Sequence, residues 1–190
     1  MGQREELLAG AKRCLVEKGY AHTTARDIVA ATNAHLGSIG YHFGSKDALL
    51  NAAVLEIFDD WGDAIAAAVT TEPGGAPLER LRQFLQGVFE LAHEQRAVLV
   101  ASVQAYAQAE FAPEVRDQLA AGYAASRRDL AALTLDIAPT EVSAEQARRY
   151  GSLALALING VMLQWLLDPG AAPTADDLVR ALEGLAGRER

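Results

Sequence analysis

The side chains best equipped to meet a ligand lie close together near the start of the chain. Between His35 and Lys46 the sequence reads HLGSIGYHFGSK, placing imidazole, hydroxyl, phenol and ammonium groups a few residues apart. Ser38 can donate to or accept from base edges or phosphates, and Leu36 can touch a thymine methyl. Gly37 lets a backbone come close to DNA or to a neighbouring helix. Nucleophilic or metal chemistry finds less support. His22, His35, His42 and His93 do not cluster, and no Ser/His/Asp set, Cys/His pair or metal-ligand spacing occurs. Asp59, Asp60 and Asp63 read as a solvated acidic face. Neither catalysis nor a cofactor or metal is expected.

The elements that would position these groups are short helices. Thr24 is a good N-cap with Asp27 three residues on, followed by Ile28 and Val29. A second short helix runs from about His35 to Tyr41, and Ser45 can cap a third. Two short helices joined at a steep angle are the geometry of a helix-turn-helix DNA reader. Its exposed face is His35, Leu36, Ser38, Tyr41 and His42. Ile28, Ile39 and Phe43 turn inward to form a small core with Leu8 and Leu15.

The residues Gly19, Tyr20, Thr23, Thr24, Ile28, Val29, Thr32, Ala34, Gly37, Ile39, His42, Phe43, Ser45, Lys46 and Leu49 fall at the spacing of a known pattern. In it the first fifty or so residues resemble the N-terminal domain of the TetR family of transcriptional regulators. The resemblance implies that Tyr41 and His42 lie along the DNA backbone and contact phosphates. Lys46 and the amides at its helix N-terminus would hold another phosphate, with the Thr24 backbone N–H and Arg26 doing so on the far side. Two positions depart from the pattern: Gly40 stands where the family often has Tyr, and Leu36 where a polar or basic residue is common.

The chain has 190 residues, of which 51% are hydrophobic, so a sizeable core can be buried. Six prolines and the lack of long apolar–polar alternation favour an all-α protein. Cys14 is the only cysteine, which excludes an internal disulfide and fits a reducing compartment. With no stretch reading as a secretory signal, a cytoplasmic location is expected. The apolar run from Leu153 to Leu167, interrupted by Asn159 and Gln164, reads as too short and too polar for a membrane span, and no membrane partner is expected. The net charge is −8. Residues 1–50 hold six Lys/Arg against five Asp/Glu, so the acidic excess lies further on. So thin a positive footprint predicts modest, strongly salt-dependent DNA affinity.

About nine helices are expected: an N-terminal three-helix head and a C-terminal helical body, divided as residues 1–46 for DNA binding and 47–190 for ligand binding and dimerisation. The first helix spans about Gln3 to Lys18 and stops at Gly19. A long helix starts at Lys46 and runs to about Thr70. Glu72–Pro77 breaks the chain, and Pro77 opens the next helix. Further helices cover about Gln95 to Gln108, Pro113 to Leu135, and from a Ser143/Gln146 capping box to Leu167. Thr174 and Asp177 open the last, which ends in the tail Gly187-Arg188-Glu189-Arg190.

The helix ending at Leu167 is apolar nearly all round, so it must be covered on more than one face. With the final helix bearing Leu178, Leu182 and Leu185, it would form a two-fold homodimer interface, where the resemblance also places one. Dimerisation suits two heads reading a palindromic operator in double-stranded DNA. A small-molecule effector site is expected among Trp61, Phe84, Val88, Ser102, Tyr106, Tyr123, Arg127, Asn159 and Met162, which supply aromatic walls and a few polar groups. By resemblance, a largely apolar effector releases the repressor from DNA, with the helix from Lys46 toward Trp61 as lever. The rival reading is a helical ligand-binding or scaffold dimer without DNA binding.

Overall fold

The computed structural model describes residues 2–68, 75–94 and 96–187. Among them all regular structure is helical. The helices are α1 (Gln3–Lys18), α2 (Ala25–Ala30), α3 (Leu36–Phe43), α4 (Lys46–Ala68), α5 (Pro77–Glu94), α6 (Arg96–Gln108) and α7 (Pro113–Leu135). α8 (Ala144–Leu167) is continuous through a π turn at Ala147–Gly151, and α9 is Ala175–Ala186. The all-α, nine-helix reading stands. The breaker at Glu72–Gly74, the end of α4 near Thr70 and the Arg188–Arg190 tail lie outside the described residues.

Local chemistry sets the helix ends. In α2, Asp27 N–H donates to Thr24 Oγ1 at 3.2 Å while Thr24 N–H donates to Asp27 Oδ2 at 2.9 Å, satisfying two orphan donors reciprocally. Ser143 with Gln146, and Thr174 with Asp177, repeat this at α8 and α9. Ser45 Oγ accepts from Ala48 N–H at 3.0 Å and caps α4. Gly19, at φ +76°, ends α1 in a conformation side chains resist.

The chain forms two compact units. The first comprises residues 1–63 and 95–120, the second 64–94 and 121–190. In the first, the apolar face of α1 (Leu7, Leu8, Ala11, Cys14, Leu15) is buried with Ile28, Ile39, Leu49, Leu50 and Val54, and α6 and α7 add Ala101, Val115 and Leu119. Phe43 is half-buried against this core, with the Arg4 guanidinium 5.1 Å from its ring centroid. Burial pushes the Cys14 thiol up, which suits an inert core residue.

In the second unit α5 packs against α8 and α9. Arg80 is buried there, although charged residues rarely are. Its Nε donates to Leu133 O at 3.0 Å and its NH2 to Thr134 O at 2.9 Å, with Gly75 O as a third acceptor and Asp136 at 3.6 Å. The side chain thus satisfies the orphan carbonyls at the end of α7. That end is closed by Asp136 at φ +59° and an Ile137 N–H to Ala132 O bond of 3.2 Å, a Schellman turn without its usual glycine.

The apolar run of α8 lies in the helix expected from the Ser143/Gln146 cap to Leu167. Its 24 residues reach a mean hydropathy of 1.5 over an 18-residue window, long and apolar enough to cross a membrane by length and composition. The Ser143 cap starts the helix before Leu153, and the run from Leu153 to Leu167 is its apolar part. Only 33% of that window is buried within the chain.

Candidate functional site

α3 is held by buried Ile39 and half-buried Phe43 and exposes much of the rest. Ile39 is 4% exposed, whereas Leu36 is 54% and Tyr41 86% exposed. Ser38 is half-buried beside them and His35 is exposed. A Cβ at Gly37 or Gly40 would meet nothing within 4 Å. Close packing against a neighbouring helix is therefore not why glycine stands at Gly37. His42 lies edge-on to the Tyr41 ring, with centroids 4.8 Å apart, and its Nε2 is 3.4 Å from Gln3 Oε1. Thus α1 orients the imidazole.

The flanking groups are more occupied than sequence suggested. Thr24 N–H, expected to reach a phosphate, donates to Asp27. Hydrogen bonds from Lys18 and Thr24 hold the Asp27 carboxyl well below the usual carboxylate range. Lys46 Nζ lies 3.2 Å from Asp47 Oδ1 and 3.5 Å from Thr23 O. Lys12 pairs with Glu56 and Asp60, Lys18 with Asp27, and Arg13 donates to Ala31 O at the end of α2. Arg26 is exposed and makes no ion pair among the described residues, so it is the least committed cation of the head.

A polar chain that sequence reasoning missed crosses the first unit. Tyr20 OH donates to Asn51 Oδ1 at 2.8 Å, Asn51 Nδ2 donates to Glu114 Oε1 at 3.2 Å, and Tyr20 N–H donates to Gln104 Oε1 at 2.9 Å. Burial, reinforced by Asp47 and Glu114, pushes the Tyr20 phenol up to about 12, so it stays a donor. The available signal was Asn51, a polar residue at a buried position of α4.

The residues expected to hold an effector divide between the units. Trp61, Ser102 and Tyr106 belong to the first; Ser102 donates to Val98 O, and Tyr106 lies edge-on to Phe58. Phe84, Val88, Tyr123, Arg127, Asn159 and Met162 belong to the second. Of these, Asn159 Nδ2 donates to Tyr123 OH at 2.7 Å and the Arg127 guanidinium lies 5.7 Å from the Tyr123 ring centroid. Phe84 and Val88 are buried on α5. A half-open cavity of about 250 Å³ lies elsewhere in this unit, walled by α5, the C-terminal half of α8 and the Pro169–Thr174 loop. Met162 alone of the expected set lines it.

A head with one anchored, otherwise exposed short helix, joined to an all-helical body, defines a helix-turn-helix regulator. Residues 7–53 match the family profile of bacterial regulatory proteins of the tetR family, and residues 77–187 match that of the BetI-type transcriptional repressor C-terminal domain. The chain belongs to the TetR family of DNA-binding transcriptional regulators.

It is 34% identical over 90 residues to the transcriptional repressor AcnR of Corynebacterium efficiens, a match covering 47% of this chain and 42% of AcnR. It is 27% identical over 187 residues to the regulator TtgR of Pseudomonas putida, covering 92% of this chain and 85% of TtgR. The chain thus spans less than half the length of AcnR but most of TtgR. A transcriptional regulator from Rhodococcus superposes with a TM-score of 0.71 at 20% identity, covering 97% of this chain and 94% of that one, a likeness of fold.

Proposed function

We propose that the protein is a repressor that binds a palindromic operator as a homodimer and is released by a small, largely apolar effector. The observation that carries the DNA part is α3: Leu36 and Tyr41 stand exposed around the buried Ile39. Leu36 and Ser38 read base edges across the groove; Tyr41, His42, Arg26 and Lys46 meet phosphates, and His35, Gly37 and the Thr24 turn border the contact. The functional division follows residues 1–46 and 47–190.

Dimerisation through α8 and α9 is supported by what they leave uncovered. Leu153 is 41%, Leu163 48%, Leu167 87% and Leu185 67% exposed. A two-fold interface would cover them and set two heads about 34–36 Å apart, one helical turn of DNA. The effector shifts the balance between head spacings by its differential affinity for them, with α4 as lever. Its site draws on Trp61, Phe84, Val88, Ser102, Tyr106, Tyr123, Arg127, Asn159 and Met162.

A second reading, a helical ligand-binding dimer that no longer reads DNA, draws on the internal pairing of Lys12, Lys18 and Lys46. Fluorescence anisotropy with the DNA upstream of the protein's own gene, against a scrambled duplex at two salt concentrations, separates the two. Selective, salt-sensitive binding that Tyr41→Ala weakens about ten-fold supports the repressor. Failure there and in a duplex-library selection supports the rival.

A further inference from the structure

The first turn of α1 and the last turn of α3 meet through two neighbouring pairs. Gln3 Oε1 lies 3.4 Å from His42 Nε2, and the Arg4 guanidinium lies over the Phe43 ring, 5.1 Å from its centroid. Phe43 packs against the core of the first unit, so its ring is a fixed platform. A guanidinium is planar and weakly hydrated, which suits it to a ring face. That contact uses none of its N–H donors, and the fork stays open for two parallel bonds to a phosphate. Holding the stem in place also removes part of the rotamer entropy that a free arginine loses on binding. Arg4 is exposed and makes no ion pair among the described residues. The adjacent carboxylate, Glu5, is turned instead to the Gly2 N–H at 2.9 Å.

The other cations of the head are mostly committed. Lys12, Lys18 and Lys46 pair with carboxylates, and Arg13 donates to the Ala31 carbonyl. Of the six Lys/Arg among residues 1–50, only Arg4 and Arg26 keep their side-chain N–H groups free among the described residues. We propose that Arg4, carried on the Phe43 ring, is a backbone-phosphate contact, which extends the DNA-binding surface from α3 to the first turn of α1. Gln3 belongs to the same edge as the residue that positions His42. The proposal rests on the reading of α3 as the helix that meets DNA. It adds a positive charge that the exposed face of α3 does not itself contain.

The test follows the full-length protein by fluorescence anisotropy on two labelled duplexes of equal length, one of random sequence and one from a library selection, across a salt series. Each phosphate contact adds about 0.9 to the slope of log affinity against log salt. Arg4→Gln should therefore flatten the slope by about 0.9 and weaken binding about ten-fold at low salt, by the same factor on both duplexes. Arg4→Lys, which keeps the charge, should restore the slope. Phe43→Leu keeps an apolar anchor and removes the platform, so adding Arg4→Gln to it should cost clearly less than on the wild type. An unchanged slope in Arg4→Gln would make Arg4 a support of α3 and overturn the contact. A loss confined to the selected duplex would mean that Arg4 reads a base, and would overturn the phosphate assignment. Tyr41→Ala separates the proposal from its premise. If that variant weakens binding and Arg4→Gln does not, α3 meets DNA without α1 and only the proposal falls. If neither does, the reading of α3 falls as well.

Discussion

The two compact units solve opposite problems. The first spends its polar groups internally: three head lysines are ion-paired, Thr24 and Asp27 cap each other, and Tyr20, Asn51 and Glu114 form a half-buried relay. Besides Phe111, the large side chains it leaves most exposed are Leu36 and Tyr41 on α3. The second also pairs its charges, Arg82 with Glu79 and Asp176 and Arg149 with Glu145, but leaves Leu153, Leu163, Leu167 and Leu185 exposed. Its main polar commitment is one buried guanidinium. The first is therefore finished as a monomer except where it meets a polar partner, whereas the second is unfinished along two apolar helices.

The sharpest way to break the comparison is to press on the closest backbone approach in each unit. A Cβ on Gly151 would sit 1.9 Å from the Arg127 carbonyl oxygen. Backbone cannot step aside as a side chain can, so Gly151→Ala should force α8 from α7 and cost about 3 kcal/mol or more, read as a lower urea midpoint. In the first unit a Cβ on Gly10 would lie 2.3 Å from Thr32 Cγ2, the end of a small side chain, and 3.3 Å from Ile28 O. Gly10→Ala should cost less, about 1–2 kcal/mol. The reverse order would show that α7 and α8 yield more easily than α1 and α2.

Next in size is Arg80. Arg80→Met keeps the stem but strands the carbonyls of Leu133 and Thr134, for about 2–3 kcal/mol, and should free the end of α7 for amide exchange before the rest of the unit. Unchanged exchange at Thr134 to Ile137 would mean that the Schellman turn suffices alone. Replacing Leu163 and Leu167 with Glu should leave the fold intact and convert the proposed dimer to monomer in sedimentation velocity, because both side chains are already exposed in the single chain. A dimer that survives would place the interface elsewhere.

Those effects mark what the sequence could and could not convey. The apolar spacing of α1 foretold the burial of Leu8 and Leu15, since burial on one helix face writes itself into spacing. Caps at Thr24, Ser45, Ser143 and Thr174 were equally legible, because each is a local bond between near neighbours. Arg80 was not: its partners lie 53 and 54 residues away, and nothing local distinguishes it from the ion-paired Arg82. The Tyr20–Asn51–Glu114 relay is hidden for the same reason. On the reading face, the identity of α3 was visible, but the diversion of the Thr24 amide and Lys46 to internal partners depends on side-chain competition that spacing does not record.

The smallest expected effect tests whether the head's internal pairing stabilises it at all. Asp27 receives bonds from Lys18 and Thr24, and its carboxyl lies below its ordinary range. A group whose folded pKa is depressed contributes stability above its unfolded pKa and loses it as the pH falls toward the folded value. Unfolding free energy should therefore be insensitive to Asp27 from neutral pH to the ordinary carboxylate range near 4, and fall below it. Lys18, raised by the same contact, keeps its contribution at all pH values below its ordinary range and loses it only in strong alkali. Asp27→Asn should flatten the acid limb, and Thr24→Ala should lower stability by about 1 kcal/mol at neutral pH through loss of the cap. Urea titrations from pH 3 to 7 on wild type and both variants read the two effects separately. If Asp27→Asn leaves the acid limb unchanged, solvent screens the exposed pair fully, and the head's cations are as available to DNA as unpaired ones.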